Sequence, residues 1–439
     1  MRKFTFRIGG IHAAEEKLTA AMPITALPES DTLVLSLTES IGKPSRPIVK
    51  PGQKVRRYEK IAEADGFVSA PLHSPVCGTV QKIERVRTPQ GYWTDAIIIQ
   101  RDPEAVVEEP VERTAEEVEA LTPKEIIDII GEAGVVGLGG ATFPTKVKLL
   151  PPEGSKPDVV LINGAECEPY LTCDDRLMQE QSLPIALGAQ LLMKAAGVDR
   201  CIIGIEDNKP EAIEAMRKAV KDIPGMSVEV LKKKYPQGGE KQLIAALLKR
   251  QVPDGALPVS VGAIVDNVAT AYAVYDAVWR RRPLVERVVT VTGSSLQEGG
   301  NFLVPLGTPL PALLEAAGGM PEDTGKLVAG GPMMGRAVSD VNTNTTKGFS
   351  GLLVLPEKMS HRKPEQPCIR CGRCVHACPM GLEPYLMVQL ARHGRWEDVG
   401  KEHVMSCIEC GSCSYVCPSS KPLLDFIRYG KQEVRKLKK

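Results

Sequence analysis

Aromatic residues make up only 4% of this chain, seven Phe, nine Tyr and three Trp. Its cores must therefore be assembled from aliphatic side chains. An excess of one charge is missing too: 55 Lys and Arg face 54 Asp and Glu, leaving a net charge of +1. That balance gives no clustered basic footprint of the kind nucleic acid requires. No apolar run reaches the roughly 18 residues of a membrane span. The nearest, LPIALGAQLLMKAAGV from Leu183 to Val198, is short, carries Lys194 and reads as a buried helix. The start, MRKFTFRIGGIH, has basic residues but neither an apolar core nor a small-residue cleavage site, so a cytoplasmic chain is expected. His73, His361, His376, His393 and His403 form no pair at ligand spacing, and no nucleophile sits beside a base. Length is what the chain has in plenty. Its 439 residues exceed what one hydrophobic core serves and imply two to four domains.

Cysteine is the other abundance, and it is not scattered. Eight of the twelve form two runs, CIRCGRCVHACP (Cys368, Cys371, Cys374, Cys378) and CIECGSCSYVCP (Cys407, Cys410, Cys413, Cys417). Each reads C-x2-C-x2-C-x3-C-P, the bacterial ferredoxin spacing, in which the fourth cysteine serves the other cluster. One 4Fe–4S cluster then takes Cys368, Cys371, Cys374 and Cys417, and the second takes Cys407, Cys410, Cys413 and Cys378. Gly372 and Gly411 let the backbone bend near the sulfides. A disulfide framework does not suit a reducing cytosol, and zinc sites use paired C-x2-C units rather than two matching runs of four. Cys77, Cys167, Cys173 and Cys201 have no ligand spacing and are expected to be buried thiols. Two clusters conduct electrons one at a time, so a two-electron donor or acceptor must lie elsewhere in the chain.

The middle of the chain supplies a candidate. In LTPKEIIDIIGEAG, Thr122 and Glu125 make a capping box around Pro123 at the first helical position. The glycine-rich stretch GVVGLGGATFP follows, which serves either as a set of turns or as bare backbone for a ligand. Next comes VVLIN, an all-apolar run suited to a strand buried on both faces, ending in a polar loop with Asn163, Glu166 and Glu168. A helix from Gln181 to Ala196, the strand RCIIGI, the helix NKPEAIEAMRKAV and the strand SVEVL continue the alternation. That pattern indicates a parallel α/β sheet, whose ligands sit at the carboxyl ends of the strands.

Four separated segments, GLGGATFPTKVK, INGAECEPYLTCDDR, YPQGGEKQL and VDNVAT, resemble the flavin- and NADH-binding subunit of respiratory complex I. Taken with both tails, the chain more closely resembles the C subunits of Rnf electron-transport complexes. The resemblance implies that Gly137, Gly139 and Gly140 lie against FMN, that Phe143 stacks on the nicotinamide nucleotide, and that Lys148 reaches the flavin phosphate. It also implies that Asn163 bonds the flavin, with Glu166 in the same loop, and that Glu168 holds NADH. Gly239 and Glu240 would lie near both ligands and Asn267 near the phosphate end. The match is not complete. The complex I subunit carries an arginine where this chain has Leu138, an aspartate where it has Ala165, and a glutamate where it has Lys241.

The flanks complete the plan. VKPGQKV and SPVCGTV resemble the barrel-sandwich fold of biotinyl and lipoyl domains, but GFVSAPLH between them lacks the carrier lysine, which leaves a structural or docking role. RVVTVTGSSLQEGGNFLVPLGTPLPALLEAAGG resembles the β-grasp (SLBB-like) domain that follows complex I flavin domains, and its Gly330-Gly331-Pro332 turn reads as structural. The final DFIRYGKQEVRKLKK reads as a solvated helix. The expected architecture is a multidomain α/β protein: an N-terminal segment (1–30), a barrel-sandwich hybrid (31–110), a Rossmann-like FMN/NADH domain (111–285), the β-grasp domain (286–356) and a ferredoxin-like two-cluster module (357–439). The expected cofactors are FMN, NAD(H) and two 4Fe–4S clusters. The resemblance implies a peripheral subunit on the cytoplasmic side of a membrane complex, with NADH, ferredoxin and the other subunits as partners. Two rivals share these features: a soluble cobalamin reductase of the propanediol-utilisation type, and an electron-transfer scaffold that has lost its flavin.

Overall fold

A computed structural model of the chain describes residues 3–437. Its central sheet has four parallel strands in the order Met226–Leu231, Cys201–Glu206, Val159–Gly164, Ala263–Asn267. The apolar run VVLIN is buried on both faces, as its lack of alternation predicts. Helices Ser182–Ala196 and Val268–Val278 pack on the sheet. Winding reverses between Val159–Gly164 and Ala263–Asn267, which opens a crevice at their carboxyl ends. Asn163 and Asn267 are register partners at that crevice. Upstream, helix Pro123–Glu132 begins with the predicted box, Thr122 accepting from the Glu125 N–H and Glu125 from the Thr122 N–H.

Two small β domains flank this unit. The barrel-sandwich is one sheet of Thr32–Ser36, Trp93–Arg101, Gly78–Arg87 and Lys54–Val55, and a second of Arg46–Pro47, Lys60–Glu63 and Leu72–His73. The β-grasp sheet holds Glu286–Thr292, Gly300–Pro305, Gly351–Pro356, Thr324–Ala329 and Arg336–Ala337, with helix Leu310–Ala316 in its core.

The described part of the N-terminal segment, residues 3–30, is tied into the fold. Ile24–Ala26 adds a parallel strand to the β-grasp sheet beside Gly300–Pro305. Phe4 bridges to Leu231 at the edge of the central sheet, and Ile11 bridges to Tyr235. The last helix, Leu423–Leu437, also differs from the solvated helix expected of it. It buries Leu424, Ile427, Gly430, Lys431 and Val434 against helices Pro384–Arg392 and Trp396–Lys401. The apolar stripe at three- and four-residue spacing explains this, and charge alone does not reveal it. The two terminal lysines of that run lie outside the described residues. Among the described residues no helix is long and apolar enough to cross a membrane.

Candidate functional site

The glycine-rich stretch forms a loop closed on itself. Gly137 N–H donates to the Phe143 carbonyl at 2.9 Å, and Val136 bridges to Pro144. Leu138 N–H donates to Thr270 Oγ1 at 2.9 Å, which pins the loop to helix Val268–Val278. Beyond that point the N–H groups of Gly139, Gly140, Ala141, Thr142 and Phe143 meet no acceptor among the described residues. Gly139 and Gly140 are exposed. A Cβ built on Gly140 would meet nothing within 4 Å, whereas one on Gly139 would strike the Asn267 side chain at 2.7–2.8 Å. Successive free N–H groups over bare backbone form an anion-accepting concavity. The donor set fits a flat ring that carries a phosphate.

The polar residues around the crevice are mostly committed to holding it. Asn267 caps its own helix through Ala269 N–H (2.8 Å) and donates to the Asn163 carbonyl (3.3 Å) and Asp174 (2.7 Å). Its amide therefore backs Gly139 rather than facing out. Asn163 donates to the Gly238 carbonyl at 2.8 Å and accepts from Ala165 N–H. Lys148, on the short helix Thr145–Lys148, donates to the Val265 carbonyl (2.7 Å) and buried Asp266 (3.1 Å). Two of its three N–H donors are thus used and one remains. Burial pulls this ammonium down, but Asp266 and Glu240 more than offset it and hold it above its ordinary value. The other Asp266 oxygen, the amide nitrogen of Gln237 and the amide oxygen of Gln242 are buried without a partner. Gly239 caps helix Glu240–Leu248, with Glu240 exposed in its first turn. Phe143 is half-buried at the far end of the loop.

The two glutamates of the 166–168 loop are spent on structure. Glu166 accepts from the Asp174 and Asp175 N–H groups at the start of helix Cys173–Glu180. Lys17, arriving from the N-terminal segment, donates to the carbonyls of Glu166, Glu168 and Leu171. Glu168 turns toward the β-grasp domain, where Met333 N–H (3.0 Å) and Met334 N–H (2.7 Å) bind its carboxylate. A Cβ on Gly331 would lie 2.3 Å from Glu168 Oε2, so the Gly330-Gly331-Pro332 turn is the socket for this carboxylate. Burial pushes Glu168 up to about 7 against the pull of those two N–H groups.

Four of the eight motif cysteines meet at one place. Cys378, Cys407, Cys410 and Cys413 together line one apolar pocket, whose other walls include Leu382, Met387 and Leu424. Four thiols converging on one apolar space fit a cluster that must be shielded from water. Cys368 and Cys371 are exposed, Cys374 and Cys417 half-buried. Gly372 and Gly411 take left-handed φ of 72° and 76°, as the bends near the sulfides require. The interior cysteine set abuts the crevice unit. Tyr235 Oη donates to the Cys410 carbonyl at 2.8 Å and lies 3.4 Å from Glu168 Oε1. Gln242 donates to the Pro379 carbonyl at 3.3 Å, and Gly10 N–H to the Ala377 carbonyl at 3.0 Å. Of the remaining cysteines, Cys173 and Cys201 are buried, while Cys77 and Cys167 are half-buried. Local pattern assigns no role to Lys17, Gln242 or Tyr235, because each acts across more than a hundred residues.

An open α/β sheet with a free-amide loop at its switch point, joined to an eight-cysteine module, defines a modular flavin and iron–sulfur redox protein. Four family descriptions match in chain order. They are the RnfC barrel sandwich hybrid domain (residues 4–104), the Nuo51 FMN-binding domain (130–276), the SLBB domain (288–337) and the 4Fe-4S dicluster domain (367–421). The C subunit of the proton-translocating ferredoxin:NAD+ oxidoreductase complex of Clostridium ljungdahlii is 44% identical, over 97% of this chain and 93% of that protein. The C subunit of the Na+-translocating complex of Acetobacterium woodii is 39% identical, over 98% and 97%. Its counterpart in the ion-translocating oxidoreductase complex of Rhodobacter capsulatus is 39% identical, over 99% and 84%. The chain belongs to the family of Rnf complex C subunits.

Proposed function

We propose that the protein is the peripheral subunit of a membrane ion-translocating ferredoxin:NAD+ oxidoreductase and passes electrons between NAD(H), FMN and two 4Fe–4S clusters. The observation that carries this reading is the contact between the two halves of the site. The interior four-cysteine space is hydrogen-bonded, through Tyr235, to the same sheet end that bears the free-amide loop. When bound, FMN would supply two-electron chemistry toward NAD(H) and one-electron chemistry toward the clusters, while the protein supplies site and geometry.

In this reading Gly137, Gly139 and Gly140 offer backbone to the flavin, and Lys148 offers its remaining donor to the phosphate. Asn163 and Asn267 hold the crevice walls, Gly239 and Glu240 close its far side, and Phe143 lies at the nucleotide edge. Glu166 shapes the loop, and in this reading Glu168 serves as the tie to the β-grasp socket, its carboxylate accepting from the Met333 and Met334 N–H groups. Cys368, Cys371, Cys374 and Cys417 hold the outer cluster, and Cys378, Cys407, Cys410 and Cys413 the inner one. Membership of the family supports the membrane partners and the ferredoxin coupling, and the cytoplasmic face is part of this proposal. The names of the relatives favour this reading over the cobalamin reductase.

The flavin-less scaffold is excluded by one experiment. Anaerobically reconstituted protein should bind FMN, and NADH should bleach the flavin absorbance. Absence of FMN binding would return the scaffold reading to first place.

A further inference from the structure

The back of the glycine-rich loop is gripped by the two neighbouring β domains. The Leu138 carbonyl accepts from Arg287 Nη2 at 3.4 Å, and the Thr142 carbonyl accepts from Ile41 N–H at 3.3 Å. At the loop entrance Lys347 Nζ donates to the Gly134 carbonyl (2.7 Å) and to the Pro71 carbonyl (3.1 Å). Lys347 is fully buried, and its backbone N–H donates to buried Glu39 at 2.6 Å. Arg287, also buried, donates to the Lys347 carbonyl and so locks the two cations together. Ile41, Glu39 and Pro71 all belong to the barrel-sandwich unit. The loop pays for this grip in backbone strain: Thr142 sits at φ 54°.

Peptide geometry turns the grip into an orientation. The Leu138–Gly139 and Thr142–Phe143 bonds are both trans. In a trans peptide the C=O and N–H point in opposite directions. Holding the Leu138 and Thr142 carbonyls inward therefore turns the Gly139 and Phe143 N–H groups outward, and these are two of the free donors. We propose that the barrel-sandwich domain, which lacks a carrier lysine, is the buttress of the flavin loop, locked in place by Arg287 and Lys347. Ile41, Arg287 and Lys347 act as positioning residues that preset the loop's peptide planes for FMN. This rests on the FMN reading above.

The test uses full-length, anaerobically reconstituted protein and reads the FMN Kd by quenching of flavin fluorescence, with iron content alongside. Lys347→Met removes the ammonium and should raise Kd about tenfold, the scale of a lost charge-assisted hydrogen bond. Ile41→Pro removes the N–H that reaches the Thr142 carbonyl and fixes φ at that position, and should raise Kd roughly threefold, while Ile41→Ala keeps that N–H and should bind as the parent does. Iron content should stay at the parent level in all three. Leu313→Ala, a cavity in the β-grasp core, whose cluster contains no residue of the loop, should leave Kd unchanged despite its cost in stability. The proposal is overturned if Lys347→Met and Ile41→Pro both bind FMN as the parent does, or if Leu313→Ala or Ile41→Ala weakens binding as much as they do. Should Lys347→Met fail to fold, the pair Ile41→Pro and Ile41→Ala decides. Failure of the parent itself to bind FMN refutes the flavin reading, and the buttress falls with it.

Discussion

Adding one methyl group to each of two adjacent glycines should produce opposite phenotypes. At Gly140 a Cβ would meet no heavy atom within 4 Å, and the residue does not occupy the left-handed region. Gly140→Ala should therefore leave the ligand-free protein as stable as the parent or better, by about 0.4–1 kcal/mol through the loss of unfolded-chain freedom. The same methyl would occupy the space above the free N–H groups, where the flavin is proposed to lie. Overpacking costs of about 1–3 kcal/mol apply there, which weakens FMN binding by roughly 5- to 150-fold. At Gly139 the Cβ would strike Asn267 at 2.7–2.8 Å. Asn267 cannot yield cheaply, because it bonds Ala269, Asn163 and Asp174 at once. Gly139→Ala should thus cost about 1–3 kcal/mol before any ligand is added. Thermal unfolding of the ligand-free proteins and FMN fluorescence titration separate the two effects. If Gly140→Ala binds FMN as tightly as the parent, the flavin does not rest on this loop.

Three further outcomes are expected. Glu168→Gln keeps one acceptor oxygen but sets its NH2 against one of the two N–H groups of Met333 and Met334, so it should destabilise the protein by about 1–3 kcal/mol and leave FMN affinity intact; a selective loss of NADH binding without destabilisation would restore its nucleotide role. Cys374→Ser should remove about half the iron and spare the inner cluster's spectrum, whereas complete loss of iron would mean that the two clusters assemble as one unit. His73, buried in the barrel-sandwich with Nδ1 unpartnered, is pushed down to about 3 by burial, with Lys347 and Lys60 adding to the effect. Below its ordinary value the unfolded chain binds a proton that the native state refuses, so stability should fall as pH drops from about 6.5 toward 3. Replacing His73 by Leu should flatten that part of the pH–stability curve, and an unchanged slope would show that another group is responsible.

The chemistry of this protein is legible in its sequence because it is written in local spacing. Two C-x2-C-x2-C-x3-C-P runs specify thiolate geometry over a dozen residues each, and Thr122 with Glu125 announces a helix start within four. VVLI and CIIGI declare buried parallel strands by their unbroken apolarity. What the sequence could not determine is what pairs across distance. Ile24–Ala26 joins a sheet nearly three hundred residues away, and Lys17 holds a loop that begins at Glu166. Motif position assigns Glu168 to the nucleotide, yet the tertiary structure delivers two N–H groups from residues 333 and 334 to its carboxylate. The charges of the final helix suggest solvation, while its burial depends on two other helices being present to cover its stripe. Local backbone preference and ligand spacing act over a few residues and leave a pattern in them. Which buried polar group finds which partner is settled only when the whole chain closes, because the cost of leaving it unpaired is assessed there.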